Sequence, residues 1–337
     1  MTPKQKPDRR DFLKAIAASA IVAPARAEAA VNTSRSFDSA SLLAPFHAVP
    51  GDTAVKIFAP AVDGKPELSI ELNPARKMFV GSAIKTFVLA EALRQADSPQ
   101  VISALTAKQL YLDSSVWNLD SATFNPPNLI GMVSERTALE AMIQHSDNTG
   151  TDMTLKLAGP DNVRRFIASA GLTNTEIPDS TRVLFGYLAG AKNYKTISWD
   201  ELNLAVSGPL VNSPLNPVQT MASTAGDFVS YYSRALQGAF FKEKATLAEY
   251  RRILSIGDAI SLVPLPLGGS AFSKGGSIDV EGFHAVCAPG GMVFGSRWVY
   301  FAFICNWYAK AVADPDTANQ FLRAVEQAMT MVKDQLA

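Results

Sequence analysis

Strand-forming sequence is split between the two ends of this chain, and that split constrains the fold more than any other feature. Near the start, AVKIFAP (54–60) and PELSIEL (66–72) are rich in β-formers and turn at Asp63-Gly64. Near the end, FSKGGSIDVEGFHAVCAPGG (272–291) and SRWVYFAFICNWYA (296–309) read as two β-rich runs, joined at Pro289-Gly290-Gly291. Residues 82–178 between them carry mostly helical patterning. The spacing therefore predicts an α+β fold whose antiparallel sheet is assembled from both chain ends, with an all-helical lobe inserted. The sheet lobe spans about 45–80 and 220–337, and the helical lobe about 81–219. Residues 28–46 read as a polar entry. Residues 179–218, with much Gly, Pro, Asn and Ser, read as a long loop over a site. Helices are expected over QTMASTAGDFVSYYSRALQG, ATLAEYRRILSI and 315–335.

Three short motifs follow one another across this frame. Ser82-Ala-Ile-Lys85 opens the apolar run SAIKTFVLAEAL just after the extended stretch ARKMFVG, so Ser82 stands at a helix N-terminus. Three residues apart on a helix, Ser82 and Lys85 share a face, and a serine needs such a base to become a nucleophile. Burial and the positive helix end both disfavour a charged Lys85. Ser146-Asp147-Asn148 falls in a short break between the helical patterns ERTALEAMIQ and TDMTLKLA, where Ser146 can relay a proton and Asn148 can hold a carbonyl. Lys274-Gly275-Gly276 begins a strand. Its glycines leave room for a substrate backbone, and the Ser277 N–H joins that of Ser82 as an oxyanion donor. Each motif alone is also what an ordinary helix, cap or strand end produces; the three in order point to acyl-serine chemistry.

On these motifs the chain resembles the class A β-lactamases, within the penicillin-recognising serine hydrolases. The resemblance covers nearly the whole chain after its first residues, including MIQHSDNTGTDMTLKLAGPDNVRRFIASAGL, ELNLAV and the closing KGG segment. It implies a three-layer α/β/α fold. It also implies an acyl-enzyme on Ser82, with Lys85 and Ser146 moving protons and Asn148, Lys274, Gly276 and Ser277 holding substrate. Ser82 and Ser146 lie 64 residues apart, close to the family pattern; Ser146 and Lys274 lie 128 apart, which requires an insertion.

The departures from the family bear on the second half of the reaction. Class A enzymes carry Glu-x-x-Leu-Asn, whose glutamate activates the deacylating water. Here Leu202-Asn203 is preceded at that spacing by Trp199, with Asp200 and Glu201 the nearest carboxylates; another gap placement puts Thr181 or Arg182 there. The asparagine that braces the family glutamate reads here as Asp152. Asp152, Asp200 and Glu201 are thus the candidate deacylation bases, and Asp152 is equally a simple helix-facing carboxylate. Gly275 removes a hydroxyl that the family keeps near the substrate carboxylate, which affects specificity.

The activity implied is β-lactam hydrolysis. The alternatives are a D-Ala-D-Ala carboxypeptidase or esterase of the same fold, and a cell-wall peptide-binding protein without turnover. A Ser-His-Asp triad is the rival arrangement, but there is no Gly-x-Ser-x-Gly elbow, and the histidines are scattered at His47, His145 and His284. His284 is a candidate for contacting a substrate carboxylate. With no H-E-x-x-H and no cysteine cluster, neither a metal nor a cofactor is expected.

The start, DRRDFLKAIAASAIVAPARA, carries twin arginines, a short apolar stretch and the small-residue pattern Ala25-Arg26-Ala27. It resembles a twin-arginine export signal over residues 1–27, which implies the periplasm or beyond. Removing it takes six basic and two acidic residues and leaves a net charge of −4. A mildly acidic body without a basic run argues against nucleic acid, no later stretch is long and apolar enough for a membrane span, and a monomer acting on a small molecule or cell-wall peptide is expected. About 310 residues remain, enough for one two-lobed domain or two domains, and the resemblance implies a single hydrolase domain over 28–337. Cys287 and Cys305, on the two final strands, read either as a disulfide or as two buried thiols.

Overall fold

In chain order, the computed structural model forms α1 (Ser39–Ala48), β1 (Asp52–Ala59), β2 (Leu68–Leu72) and β3 (Met78–Phe79), then a 3-10 turn over Gly81–Ile84 that leads into α2 (Lys85–Gln95). There follow α3 (Val101–Ala107), β4 (Gln109–Leu112), β5 (Gly131–Ser134), α4 (Glu135–Gln144), α5 (Asn148–Ala158), α6 (Pro160–Ser169), α7 (Thr181–Leu188) and α8 (Trp199–Ala205). The chain returns through β6 (Ala222–Ser223), α9 (Ala225–Ala235), α10 (Lys244–Leu254), a 3-10 turn at Asp258–Leu262, β7 (Ser270–Ser273), β8 (Gly276–Val280), β9 (Phe283–Phe294), β10 (Arg297–Trp307) and α11 (Pro315–Leu336). The structure describes residues 38–262 and 268–336; the twin-arginine segment lies outside the described residues.

The strands of the main sheet run antiparallel in the order β2-β1-β10-β9-β7, with β8 continuing the β7 edge on β9. The two chain ends meet at β1 and β10, where Asp52 pairs with Asn306 and Phe58 with Tyr300. Both faces are covered because successive side chains of β10 point to opposite sides. On one side Phe303 stacks on Phe46 of α1 at 5.6 Å, and Phe46 meets Phe321 of α11 edge-on at 6.1 Å. On the other, Tyr300, Ala302 and Ile304 join the core built around Phe228 and Tyr232 of α9. The result is the three-layer arrangement expected. β3 and β6 pair Met78 with Ser223 and Phe79 with Ala222, clasping the start and end of the insertion.

Four local expectations differ from what is observed. The polar entry contains α1, which Asp38 caps by accepting the Ala40 and Ser41 amides at 3.0 and 3.2 Å while Leu42 and Phe46 anchor it in the core. The helical stretch over 82–178 is interrupted by the β4–β5 pair. The 179–218 segment contains α7 and α8, started by Ser180 and Ser198; caps of this kind give short helices the composition of a loop. Finally, Pro289-Gly290-Gly291 is not a turn. β9 runs through it, and the hairpin closes at Gly295-Ser296, with Gly295 at φ +56°. Pro289 falls opposite the interruption between β7 and β8, where no ladder partner needs its missing N–H.

Register also decides the cysteines. Cys305 pairs with Val286 and Cys287 with Ile304, so the two thiols point to opposite faces; both are free and buried. Among the described residues, no helix is long and apolar enough to cross a membrane.

Candidate active site

The 3-10 turn, the α4–α5 junction and the β7–β8 edge converge on one point. Ser82 is the second residue of the 3-10 turn and is half-buried, while Lys85, at the start of α2, is fully buried. Lys85 Nζ donates to Ser146 O at 2.6 Å, to Asn148 Oδ1 at 2.7 Å and to Ser146 Oγ at 3.3 Å. Those three acceptors match the three protons of an ammonium, and Ser82 is not among them. Burial, and next the charge of Lys274, lower the Lys85 pKa to about 7.

Ser146 reaches this position through a left-handed backbone, φ +53°, a conformation that costs a non-glycine residue about 1–2 kcal/mol. The middle residue of its motif is structural. Asp147 caps α5 through Gly150 N at 2.8 Å and ties down the Thr123 and Phe124 amides at 2.9 and 3.0 Å. Asn148 is oriented from both ends, since its Oδ1 accepts from Lys85 and its Nδ2 donates to Leu119 O at 3.0 Å; one amide proton stays free for a substrate carbonyl.

Lys274 sits at the break between β7 and β8, with no exposed surface. Its Nζ donates to Asp258 Oδ2 at 2.5 Å, Gly275 O at 2.7 Å and Ser146 Oγ at 3.2 Å. Burial lowers its pKa, and Asp258 partly offsets that. The Ser146 oxygen thus accepts from both buried lysines, filling its two lone pairs and leaving its own proton to be donated elsewhere.

The glycines are required by close approaches within the chain itself. A Cβ on Gly276 would stand 2.1 Å from Val80 O and 2.4 Å from Ala83 N, and one on Gly81 2.8 Å from Ser277 N. The 3-10 turn and β8 therefore lie backbone against backbone, which brings the Ser82 and Ser277 amides alongside each other. At Gly275, a Cβ would meet Asp258 Oδ1 at 3.1 Å, and the Gly275 amide donates to that oxygen at 2.7 Å.

Beyond Asn148, on the next turn of α5, lies a second cluster. Buried Asp152 accepts Thr181 N and Thr181 Oγ1 on Oδ1, both at 2.7 Å, and Asn118 Nδ2 at 2.8 Å and Arg182 N at 3.1 Å on Oδ2. Asn118 also donates to Thr181 Oγ1 at 2.6 Å. Burial raises the Asp152 pKa despite these donors. Arg182 turns its guanidinium away, to Trp117 O at 3.0 Å and Ser114 O at 2.8 Å.

Three sequence candidates lie elsewhere. His284 is fully buried; its ring stacks on Trp307 at 5.2 Å, with Nδ1 bonded to Asp279 and Nε2 facing Ala309 O at 3.4 Å, so it has no face open to a cleft. Asp200 and Glu201 are exposed in the first turn of α8, where Glu201 closes a capping box with Ser198. In the same helix Leu202 is buried, and Asn203 bonds back to Trp199 O at 2.8 Å, so this Leu-Asn pair is a helix-packing feature. Sequence reasoning missed Asp258 and Asn118. A glycine at position 275 was the one trace of Asp258.

Comparison with known proteins agrees with this fold. A family profile described as the β-lactamase enzyme family matches residues 47–255. Curated protein sequences return no match. Among solved structures, TLA-3 extended-spectrum β-lactamase superposes with a TM-score of 0.65 at 15% identity, over 87% of this chain and 98% of its own. A β-lactamase from Sphaerobacter thermophilus gives 0.63 at 18%, over 87% and 97%. A PBP-A mutant in an acyl-enzyme complex with penicillin G gives 0.60 at 12%, over 87% and 94%. At such identities the likeness is one of fold.

Proposed function

The chain belongs to the β-lactamase enzyme family, and we propose that it is an exported, monomeric serine hydrolase that is acylated at Ser82 and releases the acyl group slowly. The observation that carries this reading is the Ser146 hydroxyl held between two buried lysines, at 3.3 Å from Lys85 and 3.2 Å from Lys274. In the proposed step, Ser82 Oγ attacks a β-lactam, peptide or ester carbonyl, and neutral Lys85 takes its proton, reached directly or through Ser146. The Ser82 and Ser277 amides receive the oxyanion. As the C–N or C–O bond breaks, Ser146 gives its proton to the leaving atom and is reprotonated from Lys85, so the proton lost by Ser82 ends on the leaving group.

Hydrolysis of the ester then needs a base for water. Asp152 is the buried carboxylate nearest that task in sequence, but both of its oxygens already accept two hydrogen bonds, and Thr181 stands in front of it. Asp200 and Glu201 are solvent-facing. This supports long-lived acylation, as in a peptidase or penicillin-binding protein, over rapid β-lactam turnover. The twin-arginine start supports export to the periplasm.

Intact-mass spectrometry with excess benzylpenicillin tests the reading. A covalent adduct that persists over many minutes and is absent in Ser82→Ala is expected. An adduct that clears within seconds would establish β-lactam hydrolysis instead, and no adduct with penicillins, esters or peptides would leave a non-acylating binding protein.

A further inference from the structure

We infer that this site selects acyl donors with no carboxylate beside the scissile bond, neutral esters or amides, and that Asp258 sets the preference. The inference rests on the acyl-serine reading of Ser82.

Lys274 is the cation expected to hold a substrate carboxylate, and it has no unused donor. Its ammonium carries three protons, and all three are engaged by Asp258, Gly275 O and Ser146 Oγ. The Asp258 carboxylate pairs with that ammonium at 2.5 Å while keeping a third of its own side-chain surface exposed, so any anion approaching Lys274 also approaches a carboxylate. The space beside Lys274 is also taken. Asp258 Oδ1 lies 3.1 Å from where a Cβ of residue 275 would stand and accepts the Gly275 amide, so a side chain at 275 would crowd this carboxylate in its present position. His284, the other candidate for holding an anion, is sealed between Trp307 and Asp279. A substrate carboxylate brought to Lys274 would meet the partly exposed Asp258 carboxylate, no free ammonium proton and no hydroxyl at position 275.

Benzylpenicillin and its methyl ester isolate the effect, because both acylate Ser82 by opening the same lactam C–N bond and differ only in the charge beside it. Acylation rates of the full chain are read by intact mass, each divided by that compound's rate of hydroxide hydrolysis to remove intrinsic reactivity. The methyl ester is expected to react at least about tenfold faster than the free acid. Asp258→Asn keeps the shape and an acceptor oxygen but not the charge, and should bring the two within about threefold by accelerating the acid. Asp258→Glu should restore discrimination. A free acid that reacts as fast as the ester in the unmodified protein overturns the inference whether or not any variant folds, as does a ratio unchanged in Asp258→Asn. Adducts from neither compound would overturn the acyl-serine reading, and this inference with it.

Discussion

Two hydroxyl-centred networks hang from successive turns of α5, one reached through Asn148 and the other through Asp152. Around Ser146 the partners are two buried lysines, whose burial lowers the proton affinity of both, with the charge of Lys274 lowering that of Lys85 further. Around Thr181 the partners are one carboxylate, one amide and two backbone N–H groups, and each donor finds an acceptor. The first arrangement is electrostatically costly and leaves a proton to move. The second is closed. A polar cluster with every group satisfied rigidifies the protein, whereas one held in tension between like charges can do acid–base work. The same helix supports both, so the difference arises from the partners and not from burial.

The sharpest way to break the comparison is Lys85→Met. If the Ser146 network is the chemical one, acylation should fall by about 10²–10⁴ while the fold survives. In the unmodified protein acylation should rise with pH and level off above about 7, because the base-competent form of Lys85 is the neutral amine present above its pKa; that step should vanish in the variant. Asp152→Ala should do the reverse. It strands four buried donors and should cost about 3 kcal/mol in denaturant unfolding, with a far smaller effect on acylation of the folded fraction. A large acylation defect at equal folded fraction would contradict the division.

A gain of function sharpens the point. Replacing Thr181 with Glu and Asp152 with Asn opens the second network to a carboxylate without pairing two acids, and should speed clearance of the acyl-enzyme about tenfold, read by loss of the adduct mass. The smallest effect is expected at Glu201→Ala, which removes the α8 capping box and should lower stability by about 1 kcal/mol or less, leaving acylation and clearance unchanged.

The residues that converge at the candidate site were legible because each lies in a short motif whose spacing is itself the signal, with Ser82 and Lys85 in one turn and Ser146 and Asn148 around a cap. The sheet was legible because aromatic and β-branched runs cluster at both ends. What escaped was long-range or masked by composition. Asp258 lies 16 residues before Lys274 in a 3-10 turn with no periodicity, and its role exists only because the chain folds it onto Gly275. Leu202-Asn203 matched a familiar dipeptide but sits on a helix begun by Ser198, so its asparagine turns back on its own backbone. Pro289-Gly290-Gly291 looked like a turn because its tolerance within β9 depends on an interruption in a neighbouring strand.

The pairing of β1 with β10 carries a consequence for biosynthesis. The inner neighbour of residues 52–58 is residues 300–306, so β1 emerges from the ribosome long before the strand that completes it exists. The inserted helices, rich in local contacts, can condense first, whereas the sheet must await residues 300–306. Any chain truncated before Arg297 leaves β1 with only the short β2 beside it and an open edge ready to pair with another copy.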